Sequence, residues 1–214
     1  MSGFSCIILC CAVALFSASA EPDGEESSPD DSPVAAEEDT DTTGGENARV
    51  VMDFAEKSGK WRTINDGVMG GLSSSRFRIA KGLAVFEGNV SLENNGGFAS
   101  VQSAPGKHDL SDAEGILIRV LGDGKRYAFR MRTTGAFDGI SYEARFKTVA
   151  GEWKTVELPF KAFRPVFRGR LARDAAPLEP KLIKTFGILI SDKQVGKFRL
   201  EIDWIKAYRP SLEG

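Results

Sequence analysis

The sequence predicts an all-β domain, a jelly-roll β-sandwich, and three observations carry that prediction. From Val50 to Tyr208 no apolar stripe recurs at helical spacing. Short runs instead alternate apolar and polar side chains, the period-two pattern of a half-buried strand. Gly, Asn and Asp break these runs at short intervals, and ten or so strands in about 160 residues suit two packed sheets.

The elements follow in order. Val50–Phe54 is a first strand. Arg76–Ala80 alternates, turns at Lys81-Gly82, and returns as Leu83–Val90, a hairpin. Gly97–Gln102 is another strand. Gly115–Thr133 reads as a second hairpin about Gly122-Asp123-Gly124, because an Asp-Gly pair supplies the positive φ of a tight turn. On its return limb Tyr127, Phe129 and Met131 face one way, and Arg126, Ala128, Arg130 and Arg132 the other. Ser141–Thr148 turns at Gly151-Glu152 and pairs with Trp153–Leu158. Thr185–Ser191 is nearly all apolar, as a strand buried on both faces would be. Lys197–Tyr208 closes the domain, with Phe198, Leu200, Ile202, Trp204 and Tyr208 on one side. Arg164–Lys184, with three prolines, reads as one long irregular loop.

Charge divides the chain. Of its 28 bases and 30 acids, residues 21–49 hold eleven acids and one base, Arg49. The remaining 27 bases and 19 acids leave the part from Val50 onward at +8. The acidic stretch has almost no large apolar side chain and reads as a disordered linker. Ahead of it, the apolar run Ile7–Phe16 ends in Ala18-Ser19-Ala20, a small-x-small pattern that signal peptidase accepts. We therefore expect a signal peptide over 1–20, a linker over 21–49 and one domain over 50–210. The expected location is exported, periplasmic or secreted, with no transmembrane segment because the run is short.

Composition excludes several chemistries. All three cysteines lie in the first eleven residues, so the domain has no disulfide, thiol nucleophile or cysteine-based metal site. The single histidine, His108, cannot build an HExxH zinc site, and a triad would need everything to converge on it. No metal or other cofactor is expected.

Two Gly-rich stretches stand out: Trp61–Ser75, which contains Asn65-Asp66-Gly67 and Gly70-Gly71, and Leu92–Ser100, which contains Asn95-Gly96-Gly97. Neither is a Walker A loop or a dinucleotide fingerprint. Together with Phe86-Glu87-Gly88, Gly151-Glu152-Trp153, Leu158-Pro159-Phe160, Phe167-Arg168-Gly169-Arg170, Asp192-Lys193-Gln194 and Phe198–Ile202, they resemble the complex I intermediate-associated protein family over about residues 50–208. The resemblance implies a galactose-binding-like sandwich and a non-enzymatic assembly role. Because the leader is of the secretory type, the expected member is an exported, bacterial one.

The candidate binding residues are Asn65, Asp66, Asn95, Arg130, Arg132, Tyr142, Arg168, Arg170, Asp192 and Gln194. Asn65 and Asp66 either face a ligand or cap their own turn. Arg126, Arg130 and Arg132 share a strand face that either is simply solvated or binds sugars, carboxylates or phosphates. Arg119 and Tyr142 with Arg145 would extend it from neighbouring strands. Arg164, Arg168, Arg170 and Arg173 form a basic loop. Asp192 and Gln194 either make a hairpin turn or line the rim of that face. Carboxylate pairs such as Asp66 and Asp192 are also to be weighed for glycosidase chemistry, and these two with nearby amides for Ca²⁺. The reading that follows is a non-catalytic interaction or assembly module of the cell envelope. The alternative is a carbohydrate-binding module that takes a sugar or anionic glycan on a concave sheet. The partner is thus a protein or a carbohydrate, not nucleic acid.

Overall fold

The computed structural model describes residues 47–55, 59–136 and 138–209. The expected leader, and the acidic linker up to residue 46, lie outside the described residues.

The strands are β1 (Ala48–Met52), β2 (Trp61–Asn65), β3 (Ser74–Ala80), β4 (Leu83–Val90), β5 (Ala99–Ser103), β6 (Gly115–Leu121) and β7 (Arg126–Arg132). They continue as β8 (Ser141–Lys147), β9 (Trp153–Pro159), β10 (Arg164–Phe167), β11 (Arg170–Leu171), β12 (Thr185–Ile190) and β13 (Gly196–Tyr208). One sheet runs β3-β4-β13-β6-β9, with β1 beside the second half of β13. The other runs β11-β10-β8-β7-β12-β5-β2. All the pairings between these strands are antiparallel.

The core lies between the sheets. Phe86, Ile116, Leu158 and Ile202 point in from the six-stranded sheet, and Phe129, Phe146, Phe186 and Ile188 from the seven-stranded one, all at 1% exposure or less. Burying each such side chain contributes about 1.5–3 kcal/mol. Aromatic edges join the layers, as where Tyr127 meets Phe198 at 6.5 Å. β12 is buried along its whole length between β5 and β7, as its apolar composition predicts.

Several sequence expectations are corrected. Gly115–Thr133 is not a hairpin: β6 pairs with β9 and β13, and β7 pairs with β8 and β12. The turn at Gly122–Lys125 carries the chain from one sheet to the other. Ser141–Leu158 is likewise a crossing, since β8 and β9 lie in different sheets. A turn signal marks where a strand ends and does not say which strand follows beside it. In β13 the register against β6 shifts between Ile202 and Trp204. This bulge inserts one residue, so Ile205 and Ala207 are the buried ones while Trp204 leaves the core side. Lys206 Nζ lies 4.2 Å from the outward Trp204 ring. The stretch Arg164–Lys184 contains β10 and β11, and β10 adds to the sheet beside β8. Trp61–Asn65 is a strand that its Gly-rich surroundings obscured.

Candidate functional site

The two Gly-rich stretches meet on Asp66. Asp66 begins a single 3-10 turn after β2 and is 1% exposed. Its Oδ1 accepts from Ser73 N (3.0 Å). Its Oδ2 accepts from Ser73 Oγ (2.5 Å), Gly97 N (2.7 Å) and Phe98 N (3.2 Å). Ser73 extends the link, because Ser91 N donates to its Oγ at 3.0 Å. Burial alone would push the Asp66 carboxyl up. The donors from Ser73, Gly97 and Phe98 outweigh it and hold the group below its ordinary value. The glycines permit this closeness: a Cβ on Gly71 would stand 2.4 Å from Asp66 Cγ, and one on Gly96 2.7 Å from Oδ2. Asn65 Oδ1 accepts from Ser75 Oγ at 2.6 Å. Asn95 is exposed with φ 60, a left-handed conformation that Asn tolerates. Asn94, its neighbour, ties the loops by donating to Gly70 O at 3.1 Å. Asp66 and Asn65 are therefore framework residues that lock two loops at one end of the sandwich.

At the same end, the loop after β12 fastens to β7. Gln194 acts as a short extra strand: its Oε1 accepts from Arg126 N and its Nε2 donates to Arg126 O, both at 2.8 Å. Asp192 adopts φ 61, and its Oδ2 accepts from Arg145 Nη1 at 3.2 Å, with Arg126 Nη2 at 4.0 Å. Asp66 and Asp192 are each engaged in this way, and no group of three or more His, Cys, Asp or Glu among the described residues could hold a metal ion.

The loop borders the outer face of the seven-stranded sheet. Register places side chains on that face in rows. One row crosses six strands as Arg62, Gln102, Gly187, Arg130, Glu143 and Arg164. The next holds Ile64, Ser100, Leu189, Ala128 and Arg145. Ser100, Leu189 and Ala128 are buried and make its floor. Arg126 lies opposite Lys147 at the Asp192 end, and Arg132 opposite Thr185 at the other. Arg130 Nε donates to Glu143 Oε1 at 2.7 Å, and its Nη2 donates to the same oxygen. Arg132 Nη1 donates to Gly139 O. Burial pulls the Arg132 guanidinium down from its ordinary value, and the Arg130 charge beside it acts the same way. Among the described residues the face carries seven bases, with Glu143 and Asp192 on it and Asp138 acting on Arg132.

Other expected residues lie elsewhere. Tyr142 is opposite Met131, faces the core at 6% exposure, and its hydroxyl donates to Ala176 O at 2.9 Å. Strand alternation separates it from Arg145, so it does not extend the face. Arg119 is on β6, in the other sheet, near Asp203 (3.5 Å) and the Trp153 ring (5.6 Å). Arg168 sits at the tip between β10 and β11, donates to Asp138 Oδ2 at 2.5 Å and covers the Phe167 ring. Arg170 is exposed on β11. His108 packs on Phe186, its centroid at 4.7 Å, and burial lowers its pKa. Sequence reasoning missed Arg62, Gln102, Glu143 and Arg164 as members of the face. Alternation within Trp61–Asn65 was the available signal for Arg62. On the opposite sheet a groove of about 710 Å³ is lined by Arg76, Glu87, Asn89, Asp123, Lys197 and Arg199. There Glu87 accepts from Arg76, Arg78 and Arg199.

A model of the family described as complex I intermediate-associated protein 30 matches residues 52–202. The chain belongs to the complex I intermediate-associated protein 30 family. The mouse mitochondrial complex I intermediate-associated protein 30 is 30% identical over 186 residues, covering 76% of this chain and 57% of that protein. The probable Caenorhabditis elegans counterpart, also mitochondrial, is 27% identical over 178 residues, covering 73% of this chain and 52% of that protein. The chain therefore spans little more than half the length of these relatives. Among solved structures, a family 11 carbohydrate-binding module of a Clostridium thermocellum cellulase superposes with a TM-score of 0.59 at 19% identity, covering 76% of this chain and 95% of that one. That likeness bears out the galactose-binding-like sandwich as the fold. The relatives overturn the expected exported, periplasmic or secreted location, because the members this chain resembles are mitochondrial. The physical reason lies in the leader. An apolar run with small residues after it is a local pattern, and here no Lys or Arg precedes it. Among the described residues, no helix is long and apolar enough to cross a membrane.

Proposed function

We propose that this chain is a non-catalytic interaction module of the complex I assembly type, and that it binds an acidic segment of a protein partner on the outer face of its seven-stranded sheet. The carrying observation is the pair of register rows there, with arginines on four adjoining or near-adjoining strands over a floor of small and apolar residues. Planar guanidinium groups pair with carboxylates in bidentate fashion, and an excess of one sign speeds and orients encounter. The family-motif acids support the reading from the other side. Asp66 is spent on four donors and Glu87 on three arginines, which leaves neither as a general acid or base.

Expression of the chain behind a mitochondrial presequence, in mouse cells lacking the relative, tests this. Recovery of assembled complex I on native gels is expected. No recovery, together with a rise in melting temperature when a mixed-linked glucan tetrasaccharide is added, would replace the assembly reading with a carbohydrate-binding one.

A further inference from the structure

We propose that the β10–β11 hairpin is a wedge that docks this domain end-on onto an anionic lipid bilayer. The inference goes beyond the acid-binding face, which stays open to a protein partner while the hairpin is seated.

Local geometry is the first argument. Phe167 pairs with Arg170 and Val166 with Leu171, so Arg168 and Gly169 alone form the tip. Both take positive φ, 48 and 76, as a two-residue type I′ turn requires. That turn favours Asn, Asp or Gly, and here an arginine holds the first place against the preference. Local strain of this kind recurs at functional sites. Val166 also pairs with Ser141, at the start of β8, which puts the tip at the Arg132 end of the sheet, away from Asp192. Exposure is the second argument. Phe167 is 42% exposed and Leu171 53%, and Ile140, which leads into β8 at the same end, is 37% exposed. Cross-strand pairs share a face and successive residues alternate, so Phe167 and Leu171 point to opposite faces of the hairpin. A flat protein surface covers one of them. An apolar medium that surrounds the tip covers both. Charge is the third. Arg168, Arg170 and Arg173 are exposed along the same segment, with Asp138, which accepts from Arg168, and Asp174. The Arg168 guanidinium lies 5.2 Å from the Phe167 ring centroid, so this pair offers an apolar body with a cationic head. On a bilayer the apolar side chains enter the acyl boundary. The guanidinium groups stay at the lipid phosphates, which their planar forks match in bidentate fashion.

Vesicle flotation of the full chain tests this. The vesicles are phosphatidylcholine alone, or phosphatidylcholine and phosphatidylglycerol in equal parts. Binding to the anionic vesicles, weakening as salt is added, is expected. Two double variants, Phe167→Ser with Leu171→Ser and Arg168→Gln with Arg170→Gln, are each expected to weaken it at least about tenfold. Thermal melting establishes that both fold. A Phe167→Trp chain adds a readout at the tip itself. Its added indole emission is expected to shift to the blue on anionic vesicles and to be quenched there by brominated acyl chains. Unchanged binding in both double variants would overturn the inference. So would an added indole that stays in water, or one quenched equally on neutral vesicles. Absence of binding to either vesicle would overturn it as well, and failure of the arginine variant in the mouse-cell rescue would then assign the hairpin to a protein partner.

Discussion

Asp66 is buried, charged and still held below its ordinary pKa, because four donors from two loops converge on it. Asp66→Asn turns one oxygen into a donor that faces other donors. Each buried group left unpaired costs about 1–3 kcal/mol, so we expect a loss of about 2–4 kcal/mol by urea denaturation at neutral pH. Glu87 behaves alike on the other sheet: burial would raise it, but Arg78, Arg76 and Arg199 bring it from 4.5 to about 2. Both folded-state pKa values are depressed, so both groups stabilise fully above their unfolded values. For Glu87 that stability drains as pH falls from 4.5 towards 2, and for Asp66 it drains as pH falls below 3.8. A pH series of denaturation midpoints should therefore fall on acidification, and Glu87→Gln should flatten part of the fall. An equal slope in the variant would contradict the role given to the three arginines.

At the scale of elements, β13 carries the sharpest test. The bulge after Ile202 makes Ile205 a core residue and Trp204 an outer one. Ile205→Ala should cost about 2–5 kcal/mol, while Trp204→Ala should cost under about 1 kcal/mol. Unbroken alternation predicts the reverse order. Gln194 gives a second test. Replacing it with Ala removes both bonds to the Arg126 backbone, so amide exchange at Arg126 should accelerate while Met131, inside β7, keeps its protection. These same elements show how much the sequence disclosed. The faces of β7, the β3–β4 hairpin and the buried character of β12 were legible, because alternation and composition are local properties. The partners of β6 and β8 were not, because two sheets compete for every strand that leaves a turn. Among site residues, the Arg126–Arg132 face was legible from period two. The inward Tyr142 and the full row through Arg62, Gln102 and Arg164 depend on register between distant strands. The sequence does not print that register.

For the whole molecule, the account separates scaffold from surface. The Gly-rich motifs lock loops at one end of the sandwich, and the basic sheet face beside them is the proposed binding surface. Charge reversal on two faces tests that separation in the mouse-cell rescue. One variant is Arg126→Glu with Lys147→Glu, on the seven-stranded sheet beside Asp192. The control is Lys197→Glu with Lys206→Glu, on the six-stranded sheet. Thermal melting first establishes that both fold. The account predicts that the first variant fails to restore assembled complex I while the control restores it as the unmodified chain does. Full rescue by the first variant would contradict the assignment of binding to that face.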